Sequence, residues 1–599
     1  MSQSKRILKL FVFLALILSF AFSSLSCLIY ESNVLYSDTK ITNGVVTGYG
    51  GDTHVKIQPR KNDVLVTKID VKNGFSGPYG GSFSYPAQTL TIPSTIKEIT
   101  QRSLTYLTHL EAFYVDSNNP YFQSIDGVLY NKPATVLLWY PAEKKGESFT
   151  IPDGIRVIAD SAFSHNTYLK EIIIPDTVTE IGSYAFSDLD SLKEITIPDS
   201  VTKIKENAFS NCILLENISI GSKVNSIGDN AFYHCKSLES VTLPDSLQTI
   251  GVDLFKQCTS LKEVTLPKGI TSIRIGMFSG CTALTSFVVP DTVRHIEDSA
   301  FSGTGLKEIT LPEGLSTISS SFQYCTSLTS ITIPASLRQM GSAFRNCTNL
   351  ENVTFLGGGT NFSTNCFVDC KKLAEIYVQS ASDWASMSFS HAEANPFLYG
   401  AKLYIDGEFV TDFEFPSGTK TINSFLFADY SYLESVTIPE GVEKIEIGAF
   451  MRCDKISEIT LPSTVNYIES SVFSSCTSLK TLYLPSLDWW LSLKQDHTDL
   501  FENAETVYVD GKITTTIVIP EGTKRIESFT FHQCDFLTDV YIPVSVRRLN
   551  SHSFSYCGEL NIHYSASTKE FEYLTSNSPY WCEWNDKYTV YCSNGVIEP

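Results

Sequence analysis

Charge is scarce in this chain. Asp, Glu, Lys and Arg make up 18% of its 599 residues, low for a soluble protein, and Ser and Thr take many of the outward positions instead. Catalytic signatures are missing too: there is no His-Glu-x-x-His, no Gly-x-Ser-x-Gly, no phosphate loop and no calcium loop. Gly48-Tyr49-Gly50-Gly51 lacks the third glycine of a dinucleotide fingerprint, because Thr53 stands there. The ten histidines are scattered, mostly at outward or turn positions such as His165, His234 and His295. No catalytic residue, cofactor or metal ligand set is therefore expected. The charge that is present is lopsided. A net charge of −20 disfavours nucleic acid or an anionic membrane as partner, although acidity also serves solubility.

What the chain has is a period. From Ile151 to Leu356 one phrase recurs nine times, most plainly as Ile-Ile-Ile-Pro-Asp-Thr-Val-Thr-Glu-Ile-Gly-Ser-Tyr-Ala-Phe at 172–186. Its prolines stand at 152, 175, 198, 244, 267, 290, 312 and 334, with Gly221 replacing one; the step is 23 residues, tightening to 22 at the last two. A period of this length implies a solenoid, whose units bury their apolar faces only by stacking on one another.

One unit reads physically. Glu194-Ile195-Thr196-Ile197 alternates out and in, as a strand with one buried face does. Pro198 has no backbone donor and ends the ladder, and Asp199-Ser200 supply the turn. Val201 and Ile204 point inward again, Ala208-Phe209 begin a tight turn that drops the ring into the core, and Cys212 and Leu215 close the coil. The expected fold is a right-handed, mainly β solenoid of 22–23-residue coils with a parallel sheet and only short helical turns.

The pattern Ile-x-Ile-Pro-x-x-Val-x-x-Ile-x-x-x-Ala-Phe-x-x-Cys-x-x-Leu resembles the BspA-like, treponemal-type leucine-rich repeat. Leu192 to Phe209, Leu238 to Phe255 and Leu433 to Phe450 carry it best, and it covers nearly everything from about Ile41 onward. The resemblance implies a secreted or surface-anchored protein that binds host matrix proteins, with fibronectin and fibrinogen as partners to test, or other cells. It brings no catalytic residues.

Residues 1–26 read as a signal peptide: Lys5, Arg6 and Lys9, then the apolar run Leu10 to Phe22, too short for a convincing membrane span. Ser24-Leu25-Ser26-Cys27 resembles a loose spirochaetal lipobox, which makes Cys27 a candidate lipidation site. Ordinary cleavage after Ser23 or Ser26 is the other reading. The expected location is the cell surface, as a lipoprotein of the outer membrane or as a secreted chain, held to a membrane only by lipid. A tether (27–40) and an amino-terminal cap with irregular coils (41–92) should follow. Repeats with one insertion come next (93–356), then a hairpin-bearing insertion (357–415), repeats with one insertion (416–557) and a closing cap (558–599). Asp126-Gly127, Asp406-Gly407 and Asp510-Gly511 signal the hairpins.

Fifteen cysteines invite a disulfide reading. Yet Cys212, Cys235, Cys258 and Cys281 are 23 apart, and Cys325, Cys347, Cys370, Cys453, Cys476, Cys534 and Cys557 repeat the position. One thiol per coil is a ladder of small buried hydrophobes with no unique pairing. Cys366 lies near Cys370, a weak pair signal, and Cys582 and Cys592 could be bridged in the cap. All six tryptophans fall outside the regular coils. Trp139, Trp384, Trp489 and Trp490 are candidate binding residues, since aromatic anchors concentrate at interfaces; as plugs where the coil pattern breaks they would be structural. The expected function is a non-enzymatic adhesin that binds an extracellular protein or glycan. The alternatives are a passive coat protein, or a hydrolase built into the insertions from Asp383, His391, Glu393, Asp488, Asp496, His497 and Asp499.

Overall fold

The computed structural model describes residues 39–599 except 73, 74, 77–81, 84, 496–498, 577, 579, 586 and 599. The export segment, Cys27, Asp496 and His497 lie outside the described residues. The chain packs as two units: Met1–Gly269 with Met277–Ala283, and Ile270–Gly276 with Leu284–Pro599.

In the first unit each regular coil lays down a longer strand and a shorter one. The longer strands Ser148–Thr150, Glu171–Ile173, Glu194–Ile197, Asn217–Ile220, Ser240–Thr242 and Glu263–Thr265 form a parallel sheet. The shorter ones, Val157–Ile158 through Thr249–Ile250, form a second parallel ladder. Proline divides the two. It ends the first strand, and its carbonyl accepts the bond that closes the turn, as from Val201 N to Pro198 O at 3.1 Å. Glu194–Ile197 alternates exposed and buried as its sequence alternates.

The Ala-Phe turn forms the rest of the coil, and two residues with positive φ flank it. Asn207 (+56°) and Asn211 (+61°) bracket Ala208-Phe209, as Asn230 (+55°) and His234 (+61°) bracket the next. Asn and Asp tolerate this conformation best, which explains their recurrence there. The turn's backbone is satisfied from coil to coil: Phe186 N donates to Ala208 O and Phe209 N to Ala231 O, both at 2.8 Å. The rings stack along the core, with centroids 5.0 Å apart for Phe186 and Phe209 and 5.6 Å for Phe232 and Phe255. Gly251 sits where coils approach closely, since a Cβ there would lie 2.3 Å from Asp229 N.

The cysteine ladder has a polar side that the sequence reading omitted. Most of the buried thiols donate to the carbonyl of the phenylalanine one coil earlier: Cys235 to Phe209 O at 3.2 Å, Cys258 to Phe232 O at 3.1 Å, Cys453 to Phe427 O at 3.1 Å; Cys366 donates instead to Gly341 O at 2.7 Å. In the first regular coil Asn166 takes the position. Fully buried, it donates to Pro141 O and Ala142 O and accepts from Tyr168 N and Leu169 N. All fourteen cysteines from Cys212 onward are free, Cys582 and Cys592 included.

In the second unit the coil pairing runs through the interval expected as an insertion. Asn352–Phe355, Glu375–Val378 and Lys402–Ile405 pair parallel and in register. Residues 375–405 thus stay within the ladder as a lengthened coil, after which the expected hairpin turns Lys402–Ile405 back onto Glu408–Phe409 and a new parallel pair starts at Asp412–Glu414. Thr481–Leu484 and Thr506–Val509 repeat the arrangement. Among the described residues the α-helices are short: α1 Gln101–Leu104, α2 Ala381–Ala385, α3 Leu487–Ser492 and α4 Thr568–Thr575. Serine caps the last three, with Ser380, Ser486 and Ser567 Oγ accepting from Asp383, Trp489 and Glu570 N. The three Asp-Gly hairpins form as expected. Both turn residues have positive φ (Asp406 +50°, Gly407 +83°; Asp510 +53°, Gly511 +71°), the type I′ geometry that suits strand twist.

Candidate functional site

The outward side chains of the longer strands are ones the core does not dictate. In regular coils of the first unit they are small, polar or acidic, with Ile173 the apolar exception. Glu171, Ile173, Glu194, Thr196, Asn217 and Ser219 line a shallow groove on the sheet, which continues past Ser240 and Thr242. Lys-Glu pairs flank the sheet, as Lys170 with Glu147 at 2.6 Å and Lys262 with Glu239 at 3.1 Å. They are more than half exposed, so each contributes only about 0–1 kcal/mol.

In the second unit tyrosine replaces threonine at the second outward position on both sides of two lengthened coils. Tyr377 and Tyr404 stack at 5.0 Å, and Tyr483 and Tyr508 at 4.8 Å. Each pair comes from the strands on either side of a capped helix, so in-register pairing brings the two rings together. A third stack, Tyr541–His563–Tyr591, has spacings of 4.2 and 5.1 Å. A carboxylate accompanies each stack. Tyr377 OH donates to Glu375 at 2.7 Å, which pushes the phenol up to about 12. Tyr483 OH reaches Glu458 at 3.5 Å. His563 Nε2 lies 2.8 Å from Asp539 Oδ1 and holds that carboxyl below its usual range. At the first pair Lys402 Nζ sits 5.5 Å from the Phe409 ring. These residues were missed in the sequence, although the signal was there: Glu-Ile-Tyr-Val, Lys-Leu-Tyr-Ile, Thr-Leu-Tyr-Leu and Thr-Val-Tyr-Val set Tyr where regular coils have Thr.

The four candidate tryptophans are placed inside. Trp139 is 2% exposed, Trp384 0%, Trp489 9% and Trp490 0%, so none presents a ring to a ligand on this surface. The physical reason is that a lengthened coil leaves a gap in the phenylalanine stack. Trp384 fills it against Phe397 at 5.2 Å and Phe427 at 6.0 Å, and Trp490 against Phe501 at 5.0 Å and Phe531 at 4.9 Å. Trp490 Nε1 donates to Thr530 O and Trp489 Nε1 to Val465 O. Among the described residues the scattered polar candidates form no common site. Asp383 bonds its own cap Ser380 at 2.6 Å, and His391 bonds Ser390 at 3.2 Å. Asp488 lies in the first turn of α3. Among the described residues there is no group of three or more His, Cys, Asp or Glu able to hold a metal.

The sequence pattern of the BspA type leucine rich repeat region matches residues 142–262, 248–374, 401–507 and 504–583. The chain is a BspA-type leucine-rich repeat protein. No curated protein matches it. Among solved structures, this BspA-type chain is similar to a leucine-rich repeat protein from Bacteroides ovatus, at 23% identity over 78% of this chain and 97% of that one, with a TM-score of 0.41. It is also similar to a leucine rich cell surface protein from Faecalibacterium prausnitzii, at 25% identity over 77% and 98%, TM-score 0.25. A third likeness is to a leucine-rich repeat protein of T. pallidum, at 27% identity over 35% and 88%, TM-score 0.26.

Proposed function

We propose that this BspA-type protein is a non-enzymatic, surface-displayed adhesin that engages an extracellular protein or glycan through the outer face of its strand sheet. The observation that carries this reading is the outward tyrosine pairs, Tyr377–Tyr404 and Tyr483–Tyr508. The core needs no aromatic at these positions, since other coils fill them with Thr196, Thr242 or Thr310. Aromatic anchors with hydrogen-bonding tips are what protein and glycan interfaces use. The basic-then-apolar segment at 1–26 supports export. Among the described residues no helix is long and apolar enough to cross a membrane. In this reading a lipid on Cys27 is the anchor, which Ser24-Leu25-Ser26-Cys27 supports. Mass spectrometry of the mature amino terminus separates lipidated Cys27 from cleavage after Ser23 or Ser26.

Surface plasmon resonance against fibronectin, fibrinogen and a wider matrix and glycan panel tests the reading. A binder should emerge at micromolar protein, and replacing Tyr377, Tyr404, Tyr483 and Tyr508 by Ser should weaken it at least about tenfold. Folded protein that binds no member of the panel would make a passive coat the better description.

A further inference from the structure

The tyrosine pairs on the strand sheet are placed to react with one another, whether or not a partner binds there. We infer that Tyr377–Tyr404 and Tyr483–Tyr508 are sites of oxidative cross-linking, each pair closing into a dityrosine when a peroxidase and hydrogen peroxide reach the surface. The two rings of each pair come from adjacent parallel strands in register, with Tyr377 opposite Tyr404 and Tyr483 opposite Tyr508. Their centroids lie 5.0 and 4.8 Å apart, with interplanar angles of 22° and 17°. Strand spacing holds the side chains side by side, and the χ2 torsion of tyrosine is soft. Turning the rings from face to face to edge to edge therefore brings ortho carbons together and asks little of the backbone. All four rings are half-buried, open to an oxidant yet held in place.

The step balances with that co-reactant. Each phenol gives up one electron and one proton, and hydrogen peroxide takes both electrons and both protons to become two waters. The two phenoxyl rings then join by a bond between ortho carbons, whose hydrogens move to the oxygens and restore both phenols. A base beside the phenol eases the first loss. Tyr377 OH already donates to Glu375 at 2.7 Å, and Tyr483 OH lies 3.5 Å from Glu458. Each pair thus has one tyrosine whose proton has a carboxylate to go to. Exposed thiolates are the readier targets of oxidants, but the ladder cysteines nearest in sequence, Cys370 and Cys476, are buried and compete little. The third stack sets a limit, because His563 lies between Tyr541 and Tyr591 and keeps those two phenols apart. Once formed, each bond ties the strands that flank α2 or α3. It closes a lengthened coil covalently and restricts the unfolded chain as a disulfide does.

The test treats the dilute full chain with a haem peroxidase and hydrogen peroxide, then reads dityrosine fluorescence and the masses of proteolytic peptides. Peptides bearing Tyr377 and Tyr404, and those bearing Tyr483 and Tyr508, should be recovered joined and lighter by two hydrogens, while the protein still runs as a single chain on a denaturing gel. Tyr404→Phe and Tyr508→Phe keep the stacked rings, so each should abolish one link and leave the other. Glu375→Gln should slow the first link several-fold with the second unchanged, which accessibility alone does not produce. The cross-linked chain should unfold at higher urea and exchange hydrogens more slowly over 375–405 and 481–509. Tyr573, 77% exposed, is the accessible phenol outside the pairs. Dityrosine carried mainly by Tyr573 between chains, with the four paired tyrosines unmodified, would overturn the proposal. A link between Tyr541 and Tyr591 at equal yield would do the same, and an unchanged rate in Glu375→Gln would remove the carboxylate from it. No partner is present in this measurement, so its failure leaves the adhesin reading untouched, and failure of the matrix panel leaves this one.

Discussion

Cys258 serves two demands at one position. It is fully buried, as a small hydrophobe should be, and its Sγ donates 3.1 Å to Phe232 O in the preceding coil. Thr304 stands at the equivalent place, and its hydroxyl donates to Phe301 O at 2.8 Å. Cys258→Thr should therefore be milder than the near-isosteric Cys258→Val, which loses the donor and costs about 1 kcal/mol more; urea midpoints measure the difference. Burial also pushes the Cys281, Cys370 and Cys476 thiols up to about 12. Because the thiolate is the nucleophile, maleimide at neutral pH should spare the ladder until the chain is denatured. Among the cysteines from Cys212 onward, Cys592, which is only partly covered, should label first; burial pushes the Cys582 thiol up to about 12 as it does in the ladder. Mass spectrometry finding ladder thiols labelled in the native protein would contradict this. The phenol of Tyr377 offers a pH test. Its hydrogen bond to Glu375 raises its pKa to about 12, so the folded chain keeps a proton that the unfolded chain loses at about 10. That contribution is fully present below pH 10 and is lost as pH rises toward 12. In ultraviolet titration Glu375→Gln should bring one late-ionising tyrosine back toward about 10.

At the scale of the coil, stability is shared between neighbours. Phe232 stacks on Phe209 and Phe255, both at 5.6 Å, so Phe232→Ala removes a ring with partners on two sides. The cost should be about 3–5 kcal/mol. Since coils couple mainly to adjacent coils, faster hydrogen exchange should centre on 209–255 and fade with distance; uniform loss along the unit would contradict it. The same stack explains what was legible here and what was not. Regular coils could be read from their prolines and phenylalanines because each meets a near-copy of itself. The lengthened coils could not. Glu375 pairs with Lys402 and Thr481 with Thr506, steps of 27 and 25 residues. A short capped helix, α2 or α3, follows the longer strand in these coils, and the α3 coil keeps its proline at Pro485. Proline reports the turn, whereas register follows the strands, so the proline spacing does not show that the strands on either side of each helix stay in register.

For the whole chain, the acidic balance sets which partners are reachable. With a net charge of −20, duplex DNA or heparin should show no binding at physiological salt, and adhesion to a cationic partner should weaken as salt rises. A salt titration in the resonance experiment reads both. Salt-insensitive binding to the matrix partner would instead point to the outward tyrosines as the main source of affinity.

The repeat, the strand alternation, the proline-divided coil and the ladders of phenylalanine and cysteine were determined by the sequence alone. In a solenoid the neighbour above a residue is its own equivalent one period on, so local pattern and tertiary contact carry the same information. The tertiary structure alone decided which tryptophans are plugs and which is a surface. Trp384, Trp490 and Trp584 all stand in irregular segments with aromatic neighbours in sequence. Yet Trp490 closes a gap by bonding Thr530, forty residues away, while Trp584 lies over His552 and Tyr556 at the turn edge. Where the period lapses a residue no longer meets its own copy, and only the path of the folded chain says what it touches.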